Sequence, residues 1–555
     1  MRVVAFPFPF LHLILIGCAL LMVAGCAIQV SPSGGPKDTE PPIVVSSEPA
    51  NYATNFSAKE IVIEFDEYVK LRDIYNNFIV SPPLETRPEI VIRGKSVVMK
   101  FDEPLEPNTT FNFNFGDAIV DIHEGNPSKN FQFVLSTGNF IDSMSVFGKA
   151  FSALSSEPVE EAWVLLYNCQ DYGQCDSLPM KQLPRYLAKT DKSGFFRIEN
   201  IEVGAYKVFA LIDKNRNYLF DLPNESIGFI GNTIEAGDSN ELNLVIFDQE
   251  DGNQKITKAW SPERGLIHIA FKQPVDQVSI SALNFASKKA WEIVDYSSTK
   301  DTVFHWNTSG MDSLKLHIHD ERWDFDDTVT VGINQKAEFS KLSVSTSIAK
   351  SKDQDIGKAL MINPSKPLMK YDSKSIKLYE RLDSANLVEV KMNLEFADEA
   401  RRVLAVNHTW KPGIAYRLVL EQGALTDFFQ GVSDSMSADF TVRKEDYYGN
   451  AAIELDIPQV AHTYIVQLID AKGNEVKEDY VLPMDTVQDI KTKLVYPYIV
   501  PGKYQLKVIY DVNNSKRWES GNHLKNRQPE RIEYSEKEIL IRSNWDMVLD
   551  WKLEP

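Results

Sequence analysis

From Ile43 onward the chain is a succession of short runs in which apolar and polar residues alternate, each bounded by Pro, Gly, Asn or Asp: EIVIEFDEYV, SVVMKF, TTFNFNF, FQFVLS, YKVFALI, TVTVGI, YRLVLEQG, YIVQLI, YQLKVIY and KEILIR among them. In an extended strand successive side chains point to opposite faces, so a period of two marks strands with one face in a core and one in water. No amphipathic helix separates these runs, and the best helical candidate, Ala397 to Val403, is short. Strands following one another this closely pair antiparallel, which argues against a parallel α/β sheet and predicts sandwiches. A chain of 555 residues then needs several of them, at roughly 100 residues each.

The chain also repeats itself. Pro107-x-Thr109-x-Phe111 … Gly116-x-Ala118-Ile119-x-Asp121-x3-Gly125 matches Pro412-x3-Tyr416 … Gly423-Ala424-Leu425-x-Asp427-x3-Gly431, with the same Ala-to-Asp and Asp-to-Gly spacings. Gly204-x-Tyr206-x-Val208-x2-Leu211-x-Asp213-x-Asn215 matches Gly502-x-Tyr504-x-Leu506-x2-Ile509-x-Asp511-x-Asn513 in the same way. Two repeats in the same order predict an arrangement A-B-linker domain-A-B.

The N-terminal residues 3–23 are almost wholly apolar after Arg2, and the chain then reads Val23-Ala24-Gly25-Cys26 before turning polar. A span of this length could cross a bilayer, but Pro7 and Pro9 interrupt it and small residues stand before a cysteine, as at a cleaved signal segment. LMVAGC resembles a bacterial lipobox, which implies a covalent lipid on Cys26 and removal of the preceding residues. Ala27 rather than Asp after the cysteine resembles lipoproteins sent to the outer membrane. The tether AIQVSPSGGPKDTEPP lacks an early acidic run, which favours the periplasmic face over the cell surface.

With the strand EIVIEFDEYV, the strand-turn NTTFNFNFGDAIVD and the segment EPPIVVSSEPANYATN, the A units resemble bacterial Ig-like domains. Lys189-Thr190-Asp191-x2-Gly194-x-Phe196, Ile201-x2-Gly204-x-Tyr206 and the Asp213 loop make the B units similar to prealbumin-like or carboxypeptidase-regulatory-like sandwiches. The whole is similar to Ig-like outer-membrane lipoproteins of Bacteroidota. The expected organisation is an all-β chain of tandem antiparallel sandwiches: signal peptide 1–25, lipidated cysteine and tether 26–42, Ig-like domain 43–140, prealbumin-like sandwich 141–248, a sandwich of unnamed type 249–345, a second Ig-like domain 346–445 and a second prealbumin-like sandwich 446–555.

Few motifs carry chemistry. Asp213, Asn215, Asn217 and Asp221 place oxygens at positions 1, 3, 5 and 9 of a loop, with the Leu219 carbonyl and Glu225 as further candidates, so calcium is an expected cofactor. Against it, Tyr218 stands where the sharp turn wants glycine, and Asp and Asn side chains equally well bond their own backbone. Asp511, Asn513, Ser515 and Glu519 form a weaker second set beside Lys516 and Arg517. Cys169 and Cys175 are expected to form a local disulfide in an oxidising envelope. His317-x-His319 shares a strand face with no third ligand identifiable, so an exposed face is favoured. Trp518, Trp545 and Trp551 lie in a closing segment that resembles one in the same lipoproteins, and they are taken as a possible partner face.

A formal net charge of −19 argues against a sequence-independent grip on nucleic acid or anionic lipid headgroups. No nucleophile elbow, phosphate loop, zincin or dinucleotide motif occurs, so no enzyme is expected. The resemblance implies a non-catalytic lipoprotein, anchored in the outer membrane by its lipid. It would act as a rigid scaffold or docking arm for envelope proteins, such as an outer-membrane β-barrel complex, and could be an accessory of outer-membrane protein assembly. The alternative is a surface adhesin that binds a glycan or host ligand through exposed aromatic residues.

Overall fold

A computed structural model of the chain describes residues 38–169, 175–250, 252–286, 291–348, 352–383, 386–458, 462–481 and 490–553. The signal segment, Cys26 and tether residues 27–37 lie outside the described residues. The protein is all-β, and its sheets pair into five successive sandwiches, each closed over its own apolar cluster.

In the first sandwich a sheet ordered Val44–Glu48, Glu60–Phe65, Ser96–Lys100, Glu89–Arg93 faces one ordered Ile79–Ser81, Thr110–Gly116, Phe131–Ser136. The alternation decides which side faces inward: Ile61, Ile63 and Phe65 are buried while Glu60 and Glu64 are exposed, and Phe111, Phe113 and Phe115 all enter the core. The fourth sandwich repeats this plan. Both carry a small antiparallel ladder beside the main sheets, Val69–Leu71 with Ile119–Asp121 and Leu368–Tyr371 with Leu425–Asp427.

The second and fifth sandwiches share a different plan. Each has a three-stranded sheet in which one pair runs parallel, Met144–Ser152 with Leu242–Ile246 and Gly449–Ile457 with Asp546–Lys552. It faces a larger antiparallel sheet whose central strands are Trp163–Asn168 and Ala205–Ile212 in one case, Thr463–Asp470 and Gly502–Asp511 in the other. The third sandwich packs Ile256–Glu263, Leu266–Phe271, Thr302–Asn307 and Glu292–Tyr296 against Val278–Ala282, Ser313–Asp320 and Phe325–Gly332.

Residues 397–403 are a turn rather than the expected short helix. The Asp398 carboxylate accepts the main-chain N–H groups of Arg402 and Val403, which closes the chain before a helical turn can propagate.

Neighbouring sandwiches are joined by specific polar contacts. The Ser81 hydroxyl accepts the Leu187 N–H between the first and second, Arg402 pairs with Asp295 at 2.6 Å between the third and fourth, and the Tyr448 hydroxyl donates to Asp355 at 2.8 Å between the fourth and fifth. The contacts are not confined to neighbours in sequence, because the fifth sandwich also lies against the second.

Candidate functional site

The two B-unit loops start alike. Strand Ala205–Ile212 runs into Asp213 and strand Gly502–Asp511 ends on Asp511, and both loops bend through left-handed residues three and five positions later, Arg216 and Tyr218 in one, Asn514 and Lys516 in the other. Each aspartate holds its loop by accepting main-chain N–H groups: Asp213 from Arg216 at 2.5 Å and Tyr218 at 2.8 Å, Asp511 from Ser515 at 2.8 Å and Lys516 at 2.9 Å.

In the first loop Asn215 and Asn217 donate side-chain N–H groups to the two oxygens of Asp221, at 2.9 and 2.8 Å. Asn217 also accepts the Leu219 N–H, and buried Glu225 accepts those of Lys214, Asp221 and Leu222. These side chains thus hold the turn through their own hydrogen bonds, with Asp213 and Glu225 engaged by five main-chain amides. A cation would have to displace those donors. In the second loop Asn513 accepts the Ser515 N–H, and Glu519 turns away to Arg517 at 3.3 Å and Arg527 at 3.5 Å. Among the described residues no group of three or more His, Cys, Asp or Glu is arranged as a metal site. His317 and His319 both bond Asp326 across the strand pair.

Glu530, which spacing alone does not reveal, is the counterpart of Glu225. It accepts the N–H of Val512, just after the loop aspartate, as Glu225 does that of Lys214. Glu225 stands twelve residues after its aspartate and Glu530 nineteen, and the additional residues reach across to the second sandwich. Ser520 donates to the Asp248 carbonyl, the His523 N–H donates to Gln249, Gln528 donates to the Phe229 carbonyl, and Arg517 bonds Asp276 of the third sandwich. Ser156 and Tyr534 add bonds to the carbonyls of Ile532 and Leu154.

What receives this segment is an apolar outer face. In the strand Trp163–Asn168, Val164 and Leu166 enter the sandwich core while Trp163, Leu165 and Tyr167 point out, yet all five are buried. The outward cluster continues through Phe209, Leu211, Ile227, Phe229 and Phe247, and it is covered by Ile79 of the first sandwich and Trp518 of the fifth. At the closest point Gly521 lies so near Phe247 that a Cβ there would stand 2.6 Å from the ring. His523 is 1% exposed, with Phe220 and Phe209 edge-on at 5.4 and 6.5 Å. Burial pushes its pKa down to about 4 against a weaker upward pull from Asp176.

The three closing tryptophans do not form one exposed face. Trp518 is spent inside the molecule, its indole N–H on the Glu530 carbonyl at 2.9 Å. Trp551 packs on the core of its own sandwich, and Trp545 alone of the three is exposed, at 57%. Cys169 and Cys175 are joined by a disulfide with their Cα atoms 5.8 Å apart.

Residues 38–137 match the family described as "Bacterial Ig-like domain". The protein is thus an all-β chain whose residues 38–137 match a bacterial Ig-like domain. No curated protein matches the sequence. Among solved structures, the chain is similar to the S-layer protein rSbsC at 10% identity, covering 84% of this chain and 63% of that one, with a TM-score of 0.14. It is similar to BcpA, the major pilin subunit of Bacillus cereus, at 10% identity, 74% and 99% coverage and a TM-score of 0.14. An I-band fragment of titin matches at 7% identity, 54% and 98% coverage and a TM-score of 0.12. The chain spans just under two thirds of the length of the S-layer structure.

Proposed function

We propose that the protein is a non-catalytic lipoprotein, anchored to the periplasmic face of the outer membrane through Cys26, that serves as a scaffold for other envelope proteins, such as an outer-membrane β-barrel complex. The observation that carries the reading is the fold-back itself. The fifth sandwich closes on the second and third through buried aromatic and polar contacts, so five small domains are held as a platform instead of swinging independently. Rigid presentation of surfaces is what a scaffold requires, since a pre-organised surface loses less freedom on binding.

A surface for such a partner is available on the three-stranded sheet of the fifth sandwich. Ala452 is in register with Val495 on one side and Val548 on the other; both valines are about 60% exposed, and Trp545 stands one residue before the strand that carries Val548. Crosslinking in cells followed by purification from detergent-solubilised membranes should recover a β-barrel partner, and Val548→Asp should abolish the recovery. A chain recovered alone after crosslinking refutes the scaffold reading. Incorporation of labelled fatty acid that persists in Cys26→Ala refutes the anchor, and cleavage of the protein by protease added to whole cells would favour the adhesin reading.

Calcium at the Asp213 loop is a separate proposal, supported by the spacing of Asp213, Asn215, Asn217 and Asp221 and by the bonds of both asparagines to Asp221. Its role would be to stiffen the turn, because no nucleophile or base stands beside it. Binding must raise stability by linkage, so a melting temperature unchanged between calcium and chelator removes the proposal.

A further inference from the structure

A cavity of about 440 Å³ opens at the junction of the third and fourth sandwiches, and it differs chemically from the rest of the molecule. The chain carries 78 acidic residues, yet none lines this cavity. Its one charged residue is Arg264, and among the described residues Arg264 has no carboxylate partner. Its guanidinium instead lies over the Phe339 ring, 4.5 Å from the centroid. Phe339 is itself stacked on Phe429 at 4.7 Å, so the arginine rests on a pair of packed rings.

A guanidinium seated over a ring face makes no hydrogen bond to the ring carbons, so its planar fork of N–H donors stays available to a carboxylate or phosphate. Other donors in the wall are also underused. Asn307 is 3% exposed, and its side-chain nitrogen has no acceptor. The Gln430 side-chain nitrogen, at an exposed position, meets among the described residues the Met369 thioether, a weak acceptor, at 3.2 Å. The buried cation nearby is already matched: Lys366 lies 3.9 Å from Asp427 and bonds the Ser340 carbonyl. An unmatched arginine over an aromatic wall, with spare donors and no acid, is a receptor for negative charge.

We propose that this cavity binds a small organic anion, a carboxylate or phosphate monoester on a short apolar or aromatic body. Arg264 would grip the anionic group while Phe339, Phe428 and Met369 enclose the body. The volume lies within the range of small-molecule sites. Residues from two sandwiches line it, so an occupant would also hold the third and fourth together.

The test is calorimetric titration of the full-length chain in detergent with phenylacetate, phenyl phosphate and, as neutral control, benzyl alcohol. At least one anion should saturate at one per chain while the alcohol gives no saturable heat, and the response to the two anions assigns carboxylate or phosphate. Arg264→Gln should weaken binding at least tenfold, and Arg264→Lys, which keeps the charge without the planar fork, should fall between. Gln430→Leu, a change at a more exposed position, should weaken binding a few-fold and guards against a folding defect in the arginine variants. No saturable binding of either anion at millimolar concentration, or an affinity unchanged in Arg264→Gln, overturns the proposal.

Discussion

Protonation of His523 should release the fifth sandwich from the second. The Gln249 side-chain oxygen accepts the His523 main-chain N–H at 2.9 Å, which identifies that atom as the acceptor, so the ring must donate from Nδ1 across the 2.7 Å contact. Nε2 is then bare and buried without a partner. A proton there would place a cation among Phe209, Phe220 and the segment's own backbone, which is why the pKa is driven down to about 4 from 6.5. Above pH 6.5 the ring is neutral whether the interface is closed or open, and there is no effect. Between 6.5 and about 4 only the opened form takes the proton, so closure weakens steadily as pH falls. At 1.36 kcal/mol per pH unit the loss has a ceiling of about 3 kcal/mol.

Asp176 faces the ring but is held by Lys207 at 2.9 Å. Glu530 works in the opposite sense, since burial raises its pKa and its uptake of a proton favours the closed form as pH falls. His523→Phe keeps an aromatic ring, removes the titration and isolates the histidine from these neighbours. Hydrogen exchange of the peptide 518–530, measured from pH 7 to pH 4 and corrected for intrinsic rates, should show protection falling in the natural chain and nearly level in His523→Phe. Parallel loss in both proteins would refute the reasoning.

Trp518→Ala removes a packed indole and its bond to the Glu530 carbonyl, at a cost of about 3 kcal/mol; limited proteolysis should then cut within 511–534, where the natural chain resists. Gly521→Val places atoms into Phe247 and should give the same cleavage pattern, with thermal unfolding of the fourth sandwich unchanged. Asp121 accepts four main-chain N–H groups, from His123, Glu124, Gly125 and Asn126. Burial pushes its pKa up, but those bonds outweigh it and hold the carboxyl below its usual value, so its contribution is present above the ordinary carboxylate pKa and is lost as pH falls. Asp121→Asn should destabilise the first sandwich by about 2 kcal/mol and flatten its acid sensitivity, measured by exchange protection across the strand Ile119–Asp121.

Alternation made the strands legible. Glu60–Phe65 and Thr110–Gly116 present the faces that their patterns specify, and the internal repeats correspond to shared sheet plans. The repeated Asp121 and Asp427 were visible as a motif, and each proves to organise its own turn by accepting backbone N–H groups. The run Trp163-Val-Leu-Leu-Tyr167 carried a signal easily passed over: apolar residues in both phases mean burial on both faces. Its outer cover, the segment around Trp518, comes from more than 300 residues further along the chain, and nothing local names it.

Glu530 escaped notice for a related reason. The longer loop alters its spacing from Asp511, and only the closed turn brings it back to the place that Glu225 holds in the earlier repeat. Period-two patterning and turn residues act over a few neighbours and so determined, from sequence alone, an all-β chain of repeated sandwiches. Which sandwich would lie on which, that His523 would be buried, and that Arg264 would face a cavity without acids depend on contacts between distant segments, and those exist only once the sheets have packed.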